Sequence, residues 1–299
     1  MTDTPLLASV VVAVKGDGRV RRLLGRLLHQ TVPPNAYEVI VVENGSKQLA
    51  DVDGHGGVVR YLHTAEANSA AARNVGLAAA HGRYLLLTDA DCVPETDWIE
   101  KMTARLSAGG LAGVGGVIGK YQPTTWTQKH AITVVDGQAA LNYLPALHLP
   151  YIVGANAGFL TRAVREAGGF DLELRSGNDV DLCYKLGLAG HRLGVALDAV
   201  VWHEDRATVA AHFRRFRFYA IYQVLLFAKY RHVSGLRLVV DPYPLRRTAD
   251  ALLAVPWGLI RLVAGDPSPL SRAILQMVEA AGVFAGEIEG AARFRQLYI

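Results

Sequence analysis

Arg83-Tyr-Leu-Leu-Leu-Thr-Asp-Ala-Asp-Cys92 is the stretch on which the reading of this chain turns. Residues 84–87 form a short apolar run with the character of a buried parallel strand. That run leads directly into Asp89 and Asp91, two carboxylates one residue apart at the strand's carboxyl end. Open α/β sheets bind their ligands at this edge. Two hard oxygen donors there suit a Mg²⁺ or Mn²⁺ that keeps its remaining positions for water and substrate phosphates. The plainer alternative is a simple turn, in which Asp is common.

Working upstream, residues 8–14 are a β-rich apolar run followed by the loop sequence Lys15-Gly16-Asp17-Gly18. Residues 20–29 carry Leu23, Leu24, Leu27 and Leu28 at helical spacing, and residues 37–42 form a second apolar strand ending in Glu43-Asn44-Gly45-Ser46. Strand, helix, strand within so short a span predicts a parallel pair with a right-handed crossover. Residues 58–62 read as a third strand, and the Ala-rich residues 68–80 as a helix with Arg73 and Asn74 near its start and Gly82 just past its end. This alternation argues for a doubly wound α/β sheet.

Downstream, residues 98–106 read as a helix and 112–118 as a Gly-rich strand. Neither a P-loop nor a Rossmann fingerprint is present there: Val114 and Tyr121 occupy P-loop positions that require Gly and Ser or Thr, and Ile118 breaks the Rossmann pattern. Residues 124–150 fit either a loop or short helices over the site. Gly154-Ala155-Asn156-Ala157-Gly158 places small residues where a ligand could approach the backbone. A short helix over 161–167 ends in Gly168-Gly169. Gly177-Asn178-Asp179-Val180-Asp181 precedes a helix over 182–189, and 193–201 is strand-like, ending in Trp202-His203-Glu204. Asp179 and Asp181 thus fall near a helix N-terminus, where the dipole favours negative charge.

With 299 residues and 51% hydrophobic content, the chain can build a sizeable core. Cys92 and Cys183 lack the spacing of a zinc site or a disulfide framework, which fits a reducing cytoplasm. The first residues lack a signal-peptide pattern, and no apolar segment reaches the ~18–20 residues a bilayer span needs. The net charge of +4 is unevenly spread: between Arg206 and Arg247 there are many bases and a single acid, Asp241. No nucleic-acid partner is expected.

Six pieces of the chain, in order, resemble family 2 glycosyltransferases of the GT-A fold. They are Val39-Ile-Val-Val-Glu-Asn-Gly-Ser46, Ala72-Arg-Asn-Val-Gly76, Leu87-Thr-Asp-Ala-Asp91, Gly154-Ala-Asn-Ala-Gly-Phe159, Gly168-Gly-Phe-Asp171 and Asn178-Asp-Val-Asp-Leu182. The resemblance implies an α/β, Rossmann-like, mostly parallel sheet flanked by helices over residues 1–205, with a helical C-terminal extension over 206–299. It implies transfer of a sugar from a nucleoside-diphosphate sugar, UDP being the common case, to an acceptor hydroxyl with inversion, assisted by Mn²⁺ or Mg²⁺. The acceptor class stays open between lipid-linked, peptide, glycan and small-metabolite hydroxyls.

Residue by residue, the resemblance gives Glu43 as an acid contacting the nucleoside and Arg73 as the basic residue of the nucleotide site. Asp89 would contact ribose or base, and Val14 and Asn156 are placed in the same site. Asp91 would hold the metal, with His203 completing its shell, and Asp179 would be the general base. Each has a structural alternative. Asp179 could be a helix N-cap, Asp181 a dipole partner, Arg73 a solvated helix residue, Glu43 a turn residue and His203 a polar strand end. Cys92, Trp126 and Trp202 read as packing. The sequence departs from the family pattern at Asn178, where the usual pair is Glu-Asp, and at Val14-Lys15-Gly16-Asp17, where it is Pro-Thr-Tyr-Asn; Lys15 there would add a cation near the nucleotide.

Two other functions stand beside this one: a sugar-nucleotide pyrophosphorylase, which needs a Gly-rich basic loop that 15–19 imitate weakly, and a non-catalytic nucleotide-sugar-binding protein. The C-terminal third is helical, with residues 212–230 interleaving aromatics and arginines. Basic amphipathic helices of this kind suit a membrane surface, and packing on the core or on a second subunit of a homodimer is the alternative. The first option would put the protein in the cytoplasm at the inner face of the membrane.

Overall fold

The structure is a computed structural model that describes residues 6–45, 58–131, 141–143, 149–234 and 241–296. The chain divides into two compact units, one holding most of residues up to His203 and the other holding residues 204–296 with the short helix Trp126–His130.

The first unit is built on an eight-stranded sheet among the described residues. In chain order its strands are β1 (Ala8–Val14), β2 (Tyr37–Asn44), β3 (Val59–Thr64), β4 (Tyr84–Asp89), β5 (Cys92–Pro94), β6 (Gly113–Lys120), β9 (Asn156–Leu160) and β10 (Leu193–His203). A separate two-stranded ribbon pairs β7 (Leu141–Tyr143) with β8 (Pro150–Ile152). The spatial order of the large sheet is β3-β2-β1-β4-β9-β6-β10-β5. β3, β2, β1 and β4 run parallel, as do β6 and β10, while β9 pairs antiparallel with β4 and β6, and β5 antiparallel with β10.

Both faces of this sheet are covered, which is why its strands are apolar runs rather than alternating ones. Val10 and Val12 of β1, Val39 and Val41 of β2, and Tyr84 and Leu86 of β4 point to one side. There they meet α1 (Val20–Leu27) and α3 (Trp98–Ser107). Val11, Ile40, Val42, Leu85 and Leu87 point to the other. Their partners are α2 (Ser69–Ala79), α5 (Thr161–Glu166) and α6 (Asn178–Leu188). α1 shows the logic plainly: Val20, Leu23, Leu24 and Leu27 are its fully buried residues, at i, i+3, i+4 and i+7. Each such side chain contributes about 1.5–3 kcal/mol by leaving water.

The expected helices of this unit differ in their ends by one to four residues. α1 stops at Leu27, two residues short of His29, and α2 begins at Ser69 with Asn68 as its cap, the Asn68 side chain accepting from the Ala70 N–H at 2.9 Å. α6 begins earlier than expected, at Asn178. Its N-cap is Gly177, whose φ of 74° lies in the left-handed region that favours glycine. Of residues 124–150, Trp126–His130 form a helix, α4, opened by a capping box between Thr125 and Gln128, and 141–143 form β7. Residues 132–140 and 144–148 of that stretch lie outside the described residues.

The second unit is helical: α7 (Val209–Ser234), α8 (Pro242–Val263) and α9 (Ser268–Phe294), with α4. α9 meets α7 through Gly282, Gly286 and Gly290. A Cβ at these positions would stand 2.8, 2.2 and 2.8 Å from the carbonyl oxygens of Phe213, Arg217 and Ile221. Both series rise along the chain by four, so the two helices run parallel with their backbones in close approach. Among the described residues, no helix is long and apolar enough to cross a membrane.

Candidate active site

The sheet register brings the first candidates together. Val14 of β1 lies opposite Glu43 of β2, Glu43 opposite His63 of β3, and Ala13 of β1 opposite Asp89 of β4. All stand at the carboxyl edge of four neighbouring parallel strands. Glu43 is fully buried, and its Oε1 accepts from the backbone N–H of Gly16 at 2.8 Å, pinning the loop after β1. Its other oxygen is buried without a hydrogen-bond partner. A buried acceptor left unmet costs ~1–3 kcal/mol, so this oxygen is suited to an incoming N–H or O–H. Val14 packs its side chain into the apolar core and so offers a ligand its backbone alone.

Asp91 owes its surroundings to long-range pairing. The short strand β5 turns back against the end of β10, setting His203 opposite Cys92 and therefore beside Asp91. His203 Nε2 lies 3.6 Å from Asp91 Oδ1. The cation nearest Asp91 on the loop after β1 is Arg19, not the exposed Lys15. Arg19 Nη2 is 3.5 Å from Asp91 Oδ2 and 2.7 Å from Asp17 Oδ2, and its Nε donates to Asp17 Oδ1 at 3.0 Å. Nothing in the local sequence marks Arg19 for this place. Cys92 is fully buried; burial first, then Asp89 and Asp91, pushes its thiol well above the usual range, so it remains a neutral filler.

One carboxylate and one imidazole fit a divalent ion that takes the rest of its shell from water and phosphate oxygens. Among the described residues, no group of three or more His, Cys, Asp and Glu side chains converges as a self-sufficient metal cage.

Asp89 and Asn178, the neighbour of Asp179, are joined through Arg73. Arg73 is buried, at 7% exposure, rather than a solvated helix residue. Its Nη1 donates to Asn178 Oδ1 at 2.6 Å, its Nη2 approaches Asp89 Oδ1 at 3.4 Å, and its guanidinium lies 5.8 Å from the Phe170 ring centroid. Asp179 is the second residue of α6 and not its N-cap. Its Oδ2 accepts from the Gly154 N–H at 2.6 Å and its Oδ1 from the Val180 N–H at 3.0 Å. Gly154 is the meeting point: a Cβ there would stand 2.6 Å from Arg73 Nη2 and 2.9 Å from Asp179 Oδ2. Tyr151 lies within the field of Asp179. Burial first, and that carboxylate second, push its phenol up to about 12, so it stays an O–H donor. Asp181 is fully buried and ion-paired with Lys185 at 2.9 Å, one turn on in α6.

Asn156 does not fit the nucleotide role given to it. Its Nδ2 donates to the carbonyls of Val117 at 2.8 Å and Ala199 at 3.0 Å, and its Oδ1 accepts from Trp98 Nε1 at 2.8 Å. Both amide hydrogens are consumed inside the sheet, so the side chain braces β6, β9 and β10 against α3. Trp98 is correspondingly buried. Trp202, at the other end of the same region, donates to Glu95 Oε1 at 2.5 Å.

Known proteins share the family and the fold of this chain. Residues 9–168 match the family model described as glycosyl transferase family 2. The chain is similar to the pre-mycofactocin glycosyltransferase of Mycobacterium tuberculosis, 30% identical over 221 residues covering 71% of this chain and 45% of the relative. It thus spans less than half of that relative's length. Glycosyltransferase AglE of Haloferax volcanii is 28% identical over 218 residues, 69% of each chain. Among solved structures, a mannosyltransferase from Pyrobaculum calidifontis, in complex with GDP-Man and Mn²⁺, superposes with a TM-score of 0.61 over 96% of this chain and 89% of its own. At 17% identity that likeness shows the fold, which is GT-A.

Proposed function

Given that this chain belongs to glycosyl transferase family 2, we propose that it transfers a sugar from a nucleoside-diphosphate sugar to an acceptor hydroxyl in a single displacement that inverts the anomeric carbon. The observation that carries this reading is the convergence of Arg73 and Asp179 on Gly154, with Asp89 against Arg73, at the sheet edge that also holds Glu43 and Asp91.

In this scheme the free oxygen of Glu43 and the carboxylate of Asp89 bind the nucleoside, and Arg73 supplies positive charge to the donor. Asp179, oriented by two backbone N–H groups, accepts the acceptor's proton as its oxygen bonds to the anomeric carbon. The bond to the diphosphate breaks in the same step, and its electron pair leaves with the diphosphate. General-base help of this kind contributes roughly 10²–10⁴-fold. Asp91 and His203 are the residues that would hold a Mn²⁺ or Mg²⁺, whose chemistry when bound is Lewis-acid neutralisation of the departing phosphate.

The expected donor nucleotide is uridine diphosphate; the structural relative's GDP-Man makes guanosine diphosphate sugars the other arm of a donor test. The first unit is taken as the catalytic domain and residues 206–299 as its helical extension. That extension suits peripheral contact with a cytoplasmic membrane face better than a homodimer contact. The test is to incubate the protein with Mn²⁺ and a panel of nucleotide sugars and measure nucleoside diphosphate release. Release from one donor, increased by an acceptor alcohol, is the expected result. Triphosphate formation that requires pyrophosphate, or binding without turnover, would overturn it.

A further inference from the structure

α8 is built inside out. Its inward positions are small residues: Pro244, Ala251 and Gly258 are buried, and Gly258 admits the Leu270 backbone to within 3.0 Å of where a Cβ would stand. Its large apolar residues face the other way. Leu253 is 79% exposed, Trp257 58%, Ile260 61% and Val263 92%, with Leu245, Leu252 and Leu259 also exposed. Spacings of three, four and seven put Leu245, Leu252, Leu259, Ile260 and Val263 on one continuous stripe, with Leu253 and Trp257 along its flank. An ordinary surface helix places its apolar stripe against the core, whereas this one leaves its stripe open to a partner outside the chain.

Charge identifies the partner. Near the two ends of the stripe stand exposed Arg246 and Arg261, the latter 5.9 Å from the Trp257 ring centroid and paired on the surface with Asp266 at 2.9 Å. Elsewhere in the second unit Arg214, Arg217, Arg231 and Arg272 are exposed as well. Of that unit's described acids, Asp205, Asp241, Glu279 and Glu287 are buried, and Glu204, Asp266 and Glu289 are half-buried, with Asp266 paired to Arg261 and Glu289 to Arg217. Asp250 is exposed, so the exposed arginines still outnumber the exposed acids. An apolar stripe ended by arginines and an interfacial tryptophan matches an anionic bilayer surface. A second copy of this chain would bring the same basic face to a two-fold contact, arginine against arginine. A helix that cannot cross the bilayer can still lie in its headgroup layer.

We propose that α8 is a monolayer anchor, inserting Leu253, Trp257, Ile260 and Val263 among the acyl chains of an anionic membrane while Arg246 and Arg261 pair with lipid phosphates. This rests on the peripheral-membrane reading above and names the element and lipid class that carry it.

The test is flotation of the full chain with phosphatidylcholine vesicles, with and without a minority of phosphatidylglycerol, at low and high salt. The chain floats with the anionic vesicles, and less at high salt. Leu253→Glu with Ile260→Glu, and separately Arg246→Glu with Arg261→Glu, each weaken partitioning by about tenfold or more, since each surface base contributes ~1 kcal/mol. These side chains are exposed, so circular dichroism and donor turnover without vesicles stay at wild-type values. Floating that persists in both variants overturns the α8 assignment while leaving the membrane reading standing. No floating at all overturns both. A dimer in light scattering that dissociates in Leu253→Glu/Ile260→Glu, without vesicle binding, assigns the stripe to a second copy and overturns the proposal.

Discussion

Arg73 donates through Nη1 to the carboxamide oxygen of Asn178 at 2.6 Å, joining α2 to the first turn of α6 across 105 residues of chain. The partner is neutral. The residue that stands directly against the guanidinium therefore holds it in place without cancelling its charge, and the carboxylate nearest it is Asp89 at 3.4 Å.

Replacing that amide with an acid should cost donor binding. Asn178→Asp is isosteric, keeps the contact and adds a negative charge 2.6 Å from the guanidinium. We expect the KM for the donor to rise roughly tenfold or more, the scale of a charge-assisted contact worth ~1.5–3 kcal/mol. The kcat should change much less. Steady-state kinetics over a donor series checks this, and an unchanged KM would show that Arg73 does not face the donor.

Gly154→Ala tests the meeting point directly. The added methyl would stand 2.6 Å from Arg73 Nη2 and 2.9 Å from Asp179 Oδ2, so one of the two must move. A misplacement of about 1 Å at a reacting group costs on the order of 10²-fold in rate. We expect a loss of that order in kcat with a melting temperature close to wild type, measured by turnover and thermal unfolding.

If Asp91 holds the metal as proposed, Arg19 and a divalent cation compete for it when no donor is bound. Arg19→Ala should tighten Mn²⁺ binding to the donor-free protein. The gain is a few-fold and no more, because a partly exposed ion pair is worth about 1 kcal/mol or less. Calorimetric titration with Mn²⁺ alone reads it; unchanged affinity would mean that Arg19 leaves Asp91 accessible to the metal.

In the second unit, Glu287 is fully buried beside Asp241, whose Oδ2 accepts from Gln223 Nε2 at 2.8 Å. Burial first, then Asp241, raises the Glu287 carboxyl to about 8 from an ordinary 4.5. Between those values the folded chain holds a proton that the unfolded chain has released. Its stabilising contribution is therefore full below about 4.5 and is lost as pH rises through about 8. Denaturant unfolding across that range should show the slope in the wild type and a flatter profile in Glu287→Gln, with the variant gaining relative stability at the alkaline end.

Much of the sheet was legible because β1, β2 and β4 are apolar on both faces and are separated by helical spacings such as Val20, Leu23, Leu24 and Leu27. The insertion of β9 between β4 and β6, and the return of β5 onto β10, were not legible. These are antiparallel pairings between residues far apart in sequence, and no local pattern encodes them. The same limit separates the candidate residues. Asp89 and Asp91 announce themselves as carboxylates at a strand end. Arg19 becomes significant only once the loop after β1 folds toward Asp91, and Asn156 shows its bracing role only once Trp98, Val117 and Ala199 surround it. The cap of α6 has a local explanation: Gly177 supplies the turn through its left-handed backbone, and Asp179, offered as a cap only in the alternative, reaches Gly154 instead.

The most direct test is Asp179→Asn, with donor affinity by calorimetry and transfer by product formation measured on the same preparation. A general base held at Gly154 predicts a fall in transfer of roughly 10²–10⁴-fold, with donor affinity nearly unchanged. Equal losses of binding and transfer, or transfer that survives the substitution, would contradict it.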